Sequence, residues 1–359
     1  MIPYGRQSVN DDDIDAVVRV LKGDWLTQGP HIAEFEAALI DKVQSRHAVA
    51  FANGTAALHA AVAAAGIGAG DIVATSALTF VASANCARYV GATPALVDID
   101  PSTLNLDPQR IPSGVRALVA VHYAGLPVDL RRLPRRPAVI IEDACHALGA
   151  TTPDGPVGNC ANSDMAVFSF HPVKAVTTGE GGMVTTNDDR LAARLRRFRS
   201  HGTVPSPADG GWAYDVAELG FNYRMTDIHA ALGSSQLVRL DSFIARRQAL
   251  AARYRRRLAD MPVVLPPEPS AGFTHAYHIF PVRVAERRRL FDELRAAGIG
   301  VQVHYVPVYR HSLYADLGLS ARDYPETQRA YEGLLSLPLY PDLTDAEQDI
   351  VIETLGGLL

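Results

Sequence analysis

Lys174 lies in the segment Phe168-Ser169-Phe170-His171-Pro172-Val173-Lys174-Ala175-Val176-Thr177-Thr178-Gly179-Glu180-Gly181-Gly182, a strand-like run followed by a turn rich in Pro, Thr and Gly. A primary amine placed there can condense with a carbonyl; a guanidinium stays protonated and cannot. The composition sharpens the point, because Lys and Arg total 34 and only Lys22, Lys42 and Lys174 are lysines. Lys22 and Lys42 end predicted helices, where a cation suits the negative end of the helix dipole. Lys174 has no such explanation, although an exposed loop lysine remains the alternative reading from these residues alone. Ser169, five residues earlier, offers a hydroxyl to an anion.

Two further elements fit a cofactor that carries both an aldehyde and a phosphate. Asn53-Gly54-Thr55 falls between a predicted strand and a predicted helix. The N–H groups of Gly54 and Thr55 then form an anion site at a helix N-terminus, or an ordinary helix cap. Glu142-Asp143 ends the most hydrophobic predicted strand, Ala138 to Ile141. A carboxylate at the carboxyl end of a parallel strand points into the crevice where α/β proteins bind ligands. Facing a pyridine nitrogen, Asp143 would keep it protonated; taken alone it reads equally as a helix-capping Asp.

Other chemistries fail on residue content. Gly66-Ile67-Gly68-Ala69-Gly70-Asp71 has Asp where a dinucleotide fingerprint needs its third glycine, and it follows a helix instead of a strand. The chain has no Gly-x-Ser-x-Gly elbow and no Walker lysine. Cys86, Cys145 and Cys160 have no metal-ligand spacing, so neither a disulfide framework nor a metal site is expected. A net charge of −5 without a long basic block argues against nucleic-acid and membrane partners. The N-terminus lacks a signal pattern, and a cytoplasmic location is expected.

The elements that must position these residues follow from hydrophobic periodicity. Helices are predicted over about 10–23, with Ile14, Val17, Val18 and Leu21 as the apolar face, and over 31–43. From residue 48 short β-like runs alternate with helical stretches, as an α/β domain with a mainly parallel central sheet requires. The Gly/Pro stretch 202–211 reads as a loop and 226–258 as one long helix. After the Pro-rich break at 262–267 come strand-like 277–284, a helix over 286–297, strand-like 300–305 and a last helix after Thr344. The expected organisation is a large domain over 1–240 and a smaller C-terminal α+β domain over 241–359.

Taken together in order, several segments resemble the DegT/StrS-type sugar aminotransferases, fold-type-I pyridoxal phosphate enzymes that act on nucleotide-linked keto-sugars. They are Asn53 to Leu58, Glu142 to Ala147, Ser169 to Lys174, Thr178 to Gly182 and Leu219 to Asp227, within a match running from Leu26 to Pro341. Within that family the likeness is strongest to the UDP-4-keto-sugar aminotransferases of the pseudaminic acid pathway. It is carried by Ile2 to Gln7, Phe80 to Cys86, the His-Pro-Val-Lys loop and Val301 to Tyr309.

The resemblance implies a role for each matching residue. Lys174 would hold pyridoxal 5′-phosphate covalently and shuttle the proton. Asp143 would pair with the pyridine nitrogen, His146 approach the ring's 3-oxygen, and Phe80, otherwise an ordinary core aromatic, stack on the ring. Gly54, Thr55 and Ser169 would bind the phosphate, joined by Asn222 from the second subunit of a homodimer. Tyr4, Trp25, Leu26, Thr27, His304 and Tyr305 would line the sugar-nucleotide site. His171 reads as a loop-structural histidine. The expected reaction moves an amino group from glutamate to the C4 ketone of a UDP-linked 4-keto-6-deoxy sugar. The alternatives are another UDP-, dTDP- or GDP-linked keto-sugar, or a non-catalytic sensor on the same fold.

Overall fold

Five-residue runs of β-branched and small apolar residues form the strands of the central sheet, and their near-continuous burial follows from helices on both faces. The structure, a computed structural model, describes residues 1–359. The strands are β1 (His47–Phe51), β2 (Ile72–Ser76), β3 (Thr93–Val97), β4 (Ala117–Val121) and β5 (Val139–Asp143). After a two-residue hairpin, β6 (Thr151–Thr152) and β7 (Gly155–Pro156), come β8 (Met165–Ser169) and β9 (Gly182–Thr186). The seven-stranded order is β1-β9-β8-β5-β4-β2-β3. Only β9 runs against its neighbours.

This topology decides where the chemistry lies. β5 and β8 are parallel neighbours, so Asp143 and Ser169 end on the same edge. β1 and β8 are both antiparallel to β9, so β1 also ends there and delivers Asn53 to that edge. Gly182, opposite both Phe51 and Ser169, allows the approach: a Cβ on it would meet the Asn53 carbonyl oxygen at 2.4 Å.

The covering helices are α1 (Asp11–Leu21), α2 (Pro30–Val43), α3 (Gly54–Ala64), α4 (Ala82–Tyr89) and α5 (Asp189–Arg199). Next come a hairpin of β10 (Thr203–Pro205) and β11 (Tyr214–Val216), then α6 (Asp227–Val238) and α7 (Leu240–Arg257). The C-terminal part holds β12 (Phe280–Arg283), α8 (Arg287–Ala296), α9 (Pro325–Gly333), β13 (Leu334–Leu337) and α10 (Asp345–Leu358). Two cores meet on α7. Its Leu240, Phe243 and Ile244 pack with Phe35, Phe168 and Phe170, whereas its Leu250, Ala251 and Tyr254, with Leu258 just beyond its end, pack with Phe280, Leu335 and Ile352. Between these halves Arg247 is buried without a carboxylate and donates to the carbonyls of Tyr277, His278 and Leu339.

Four sequence expectations change. The buried face of α1 is Asp13, Ala16 and Val20, leaving Ile14 and Leu21 exposed. Asp13 is drawn in because Ser235, Gln236 and Arg239 all donate to its carboxylate. The helix expected over 226–258 is two helices, parted at Arg239, whose guanidinium bonds Asp13 and the Ser8 carbonyl. Residues 300–305 form no strand: Gly300 donates to the Ile2 carbonyl at 2.7 Å, and only Gln302 bridges to Ser336, on the edge of β13 away from β12. Part of the expected loop 202–211 is the first arm of the β10–β11 hairpin. Lys42, at the end of α2, also meets Asp241 at 2.6 Å.

Candidate active site

At the carboxyl edge of β1, β5 and β8 opens a cavity of ≈ 940 Å³. Its wall contains ten of the residues singled out from the sequence: Tyr4, Gly54, Thr55, Phe80, Asp143, His146, Ser169, Lys174, His304 and Tyr305. His171 also lines it. The strand ends supply Asp143 and Ser169, and the turn after β8 supplies Lys174, whose N–H closes on the His171 carbonyl at 2.9 Å. Gly54 opens α3 beneath Ser169; a Cβ there would come within 2.9 Å of the Ser169 Cβ. Asn53 caps α3 by accepting from the Ala56 N–H at 2.8 Å, which leaves the Gly54 and Thr55 N–H groups without intrahelical acceptors.

The electrostatics keep the site's bases neutral. Burial, with the Lys174 charge nearby, holds the His146 imidazole well below its ordinary value, and burial and the same charge bring His304 down to about 4. His278, tilted 37° against His146 with ring centroids 4.3 Å apart, is depressed by burial and by His146. Tyr305 meets His146 Nε2 at 2.9 Å, and burial pushes its phenol well above the ordinary range. His304 Nδ1 is fixed by Ser336 Oγ at 2.8 Å. Burial also lowers the Lys174 amine, against the opposing pull of Cys145 and Asp143. Among the described residues Lys174 has no ion-pair partner, so its charge is not spent on holding the fold together.

These residues fit a phosphorylated aldehyde. The amine is desolvated and unpaired, which suits a nucleophile. The helix N-terminus beside Ser169 presents donors to an anion. His146 Nδ1 is buried without a partner and Asp143 faces the same cavity, so a ring with polar atoms on two sides has something to meet.

Four expected residues stay outside this wall. Trp25, Leu26 and Thr27 are exposed, on a segment tied to the start of α6 by the Asp227 N–H to Leu26 carbonyl bond and by Asp227 accepting from Gly29 and His31. Asn222 is exposed too, although Phe221 and Tyr223 on either side of it line the cavity. Sequence reasoning missed other wall residues, among them His59, Thr79, Cys145 and His278. His59 sits on α3 among Tyr89, Phe198, Phe221 and Tyr223, where it looked like one more residue of an Ala-rich helix. Cys145 lies two residues beyond Asp143, and that spacing was the available signal.

The chain resembles known proteins over its whole length. A sequence model described as the DegT/DnrJ/EryC1/StrS aminotransferase family matches residues 7–356. The spore coat polysaccharide biosynthesis protein SpsC of Bacillus subtilis (strain 168) is 36% identical, with 100% of this chain and 97% of SpsC covered. The structure of Spr1654 from Streptococcus pneumoniae, a putative sugar aminotransferase in its PMP form, superposes with a TM-score of 0.93 at 30% identity, covering 100% of this chain and 99% of that one. Spr1654 has also been solved in a PLP form. PseC of Helicobacter pylori, an aminotransferase of pseudaminic acid biosynthesis, superposes with a TM-score of 0.91 at 29% identity, covering 99% of this chain and 98% of that one.

Proposed function

The chain belongs to the DegT/DnrJ/EryC1/StrS aminotransferase family, whose members are pyridoxal phosphate-dependent sugar aminotransferases, and on that premise we propose that it aminates the C4 ketone of a UDP-linked 4-keto-6-deoxy sugar with glutamate as donor, as in pseudaminic acid biosynthesis. The observation that carries the reading is the buried, unpaired Lys174 amine in one cavity with Asp143, His146, Ser169 and the start of α3. The likeness to PseC supports the choice of sugar.

Pyridoxal phosphate supplies an aldehyde to receive the amino group and a protonated ring to draw off the electrons of a broken C–H bond. Each side chain then has a task. Gly54, Thr55 and Ser169 would hold the phosphate through N–H groups and a hydroxyl. Asp143 would hold a proton on the ring nitrogen, His146 would meet the 3-oxygen and Phe80 would cover a ring face. Lys174 Nζ takes the proton from the donor's Cα and later delivers one to the sugar's reacting carbon. Tyr4, His304 and Tyr305 would orient the sugar, whereas Trp25, Leu26 and Thr27, outside the cavity wall, are assigned to the nucleotide by the family resemblance alone. The test is a panel of UDP-, dTDP- and GDP-linked keto-sugars with glutamate, the product read by NMR. A C4 amine on the UDP sugar is expected; product from dTDP or GDP sugars alone, or none with glutamate, sinks the assignment.

The working unit we infer is a homodimer in which Asn222 contacts the phosphate in the other subunit. Its support is the exposure of Asn222 beside a bare apolar hairpin, with Trp212 and Leu219 each 84% exposed and Tyr214 and Val216 also open. Mixing inactive Lys174→Arg and weakened Asn222→Ala dimers tests it. In a mixed dimer one site combines Lys174 of one chain with Asn222 of the other, so re-equilibration should recover about a quarter of the native sites. No recovery on mixing, or a cofactor-loaded monomer in sedimentation, overturns the arrangement.

A further inference from the structure

We propose that Ser83, backed by Thr79, is a positioning residue that keeps the proton shared between Asp143 and the cofactor's ring nitrogen on the nitrogen. The inference rests on the pairing of Asp143 with that nitrogen described above. Ser83 and Thr79 are buried, and the Ser83 Oγ donates to Asp143 Oδ2 at 2.6 Å. The Thr79 Oγ1 lies 2.9 Å from the Ser83 Oγ.

The direction of this chain follows from counting protons. An ionised carboxylate only accepts, so the single Ser83 proton points to Asp143. Thr79 must then donate to Ser83, and the two hydroxyls form a line polarised toward the carboxylate. Neither hydroxyl caps α4, which begins at Ala82 after Val81 with no side-chain cap and holds Ser83 in its first turn. Asp143 Oδ1, by contrast, receives the Cys145 N–H at a longer 3.3 Å, and both residues line the cavity. One oxygen is thus tied firmly and the other more loosely.

The chemical effect is a division of labour. A donor on Oδ2 stabilises the carboxylate charge and weakens its hold on the shared proton, which stays on the ring nitrogen and keeps the ring an electron sink. Without that donor the carboxylate competes for the proton, and the ring loses part of its charge.

The test uses the holoenzyme loaded with pyridoxal phosphate labelled with 15N at the ring nitrogen. Ser83→Ala should move the 15N resonance toward the unprotonated position and lower kcat by about tenfold to a hundredfold, the range for one hydrogen bond to a charged group. Thr79→Val should shift it the same way by less. A native resonance in Ser83→Ala, with only kcat or Tm reduced, means a packing role and overturns the proposal. Should Ser83→Ala not fold, an unmoved resonance in Thr79→Val overturns it equally. Asp143→Asn separates the two claims: if it leaves the resonance unmoved, the ring-nitrogen pairing fails and this inference with it. If Asp143→Asn moves the resonance and Ser83→Ala does not, only this inference fails.

Discussion

Lys174→Arg is expected to lower turnover by about a thousandfold or more while leaving the protein folded, because it removes both the nucleophile and the proton carrier. The substitution keeps a positive charge and most of the side-chain length, so charge alone cannot account for the loss. Nor does it break an ion pair, since Lys174 has none among the described residues. What disappears is an amine that burial has pushed toward its neutral, reactive form. Only Lys22 and Lys42 remain as side-chain amines, and both sit at helix ends outside the cavity. Borohydride reduction of the loaded protein and peptide mapping should therefore place the cofactor on the peptide of Lys174 in the native chain and nowhere in the variant. Turnover within tenfold of native, or label on Lys22 or Lys42, would show the assignment to be wrong.

The second large effect is on stability in mild acid. His275 and His304 are buried and neutral, depressed by burial to about 3 and about 4, and His146 and His278 are held down in the same direction. Above the unfolded histidine value near 6.5 both states are neutral and no cost arises. As the pH falls below that value the unfolded chain binds protons that the folded chain refuses. Stability is then lost at about 1.4 kcal/mol per pH unit per histidine, until the folded values are reached. His275 and His304 together account for about 5 kcal/mol between pH 6.5 and 4.5, a large part of the roughly 5–15 kcal/mol a folded domain has. Carboxylates do not imitate this window, because Asp129, Asp188 and Asp189 are lowered from an ordinary value of 3.8 and act below it. Denaturant midpoints of the cofactor-free protein should fall steeply between pH 6.5 and 4.5; midpoints flat over that range refute the effect.

Much of the site was legible because its residues are tied to local rules. Asn53 before a helix, a carboxylate at a strand end and a lone lysine after a strand each carry meaning within a few neighbours, and the parallel sheet gathers them onto one edge. The rest depends on partners far along the chain. Nothing near Asp13 says that Ser235, Gln236 and Arg239 will bury it in place of Ile14. Arg239 is a good helix former, and only its reach to Asp13 and Ser8 marks the break between α6 and α7. Residues 300–305 alternate as a strand would, yet Gly300 is drawn to the distant Ile2 carbonyl and only Gln302 reaches the free edge of β13. Ser83 and His278 look like ordinary members of a small-residue helix and an apolar run until Asp143 and His146 are placed beside them.

The buried guanidinium of Arg247 gives the fold a mechanical property. It grips the carbonyls of Tyr277, His278 and Leu339 from the middle of a helix whose two ends belong to different cores. The C-terminal core is thereby tied to the backbone that carries His278, on the wall of the cavity. The seam between the two cores and one wall of the cavity thus share a single side chain as their fastening.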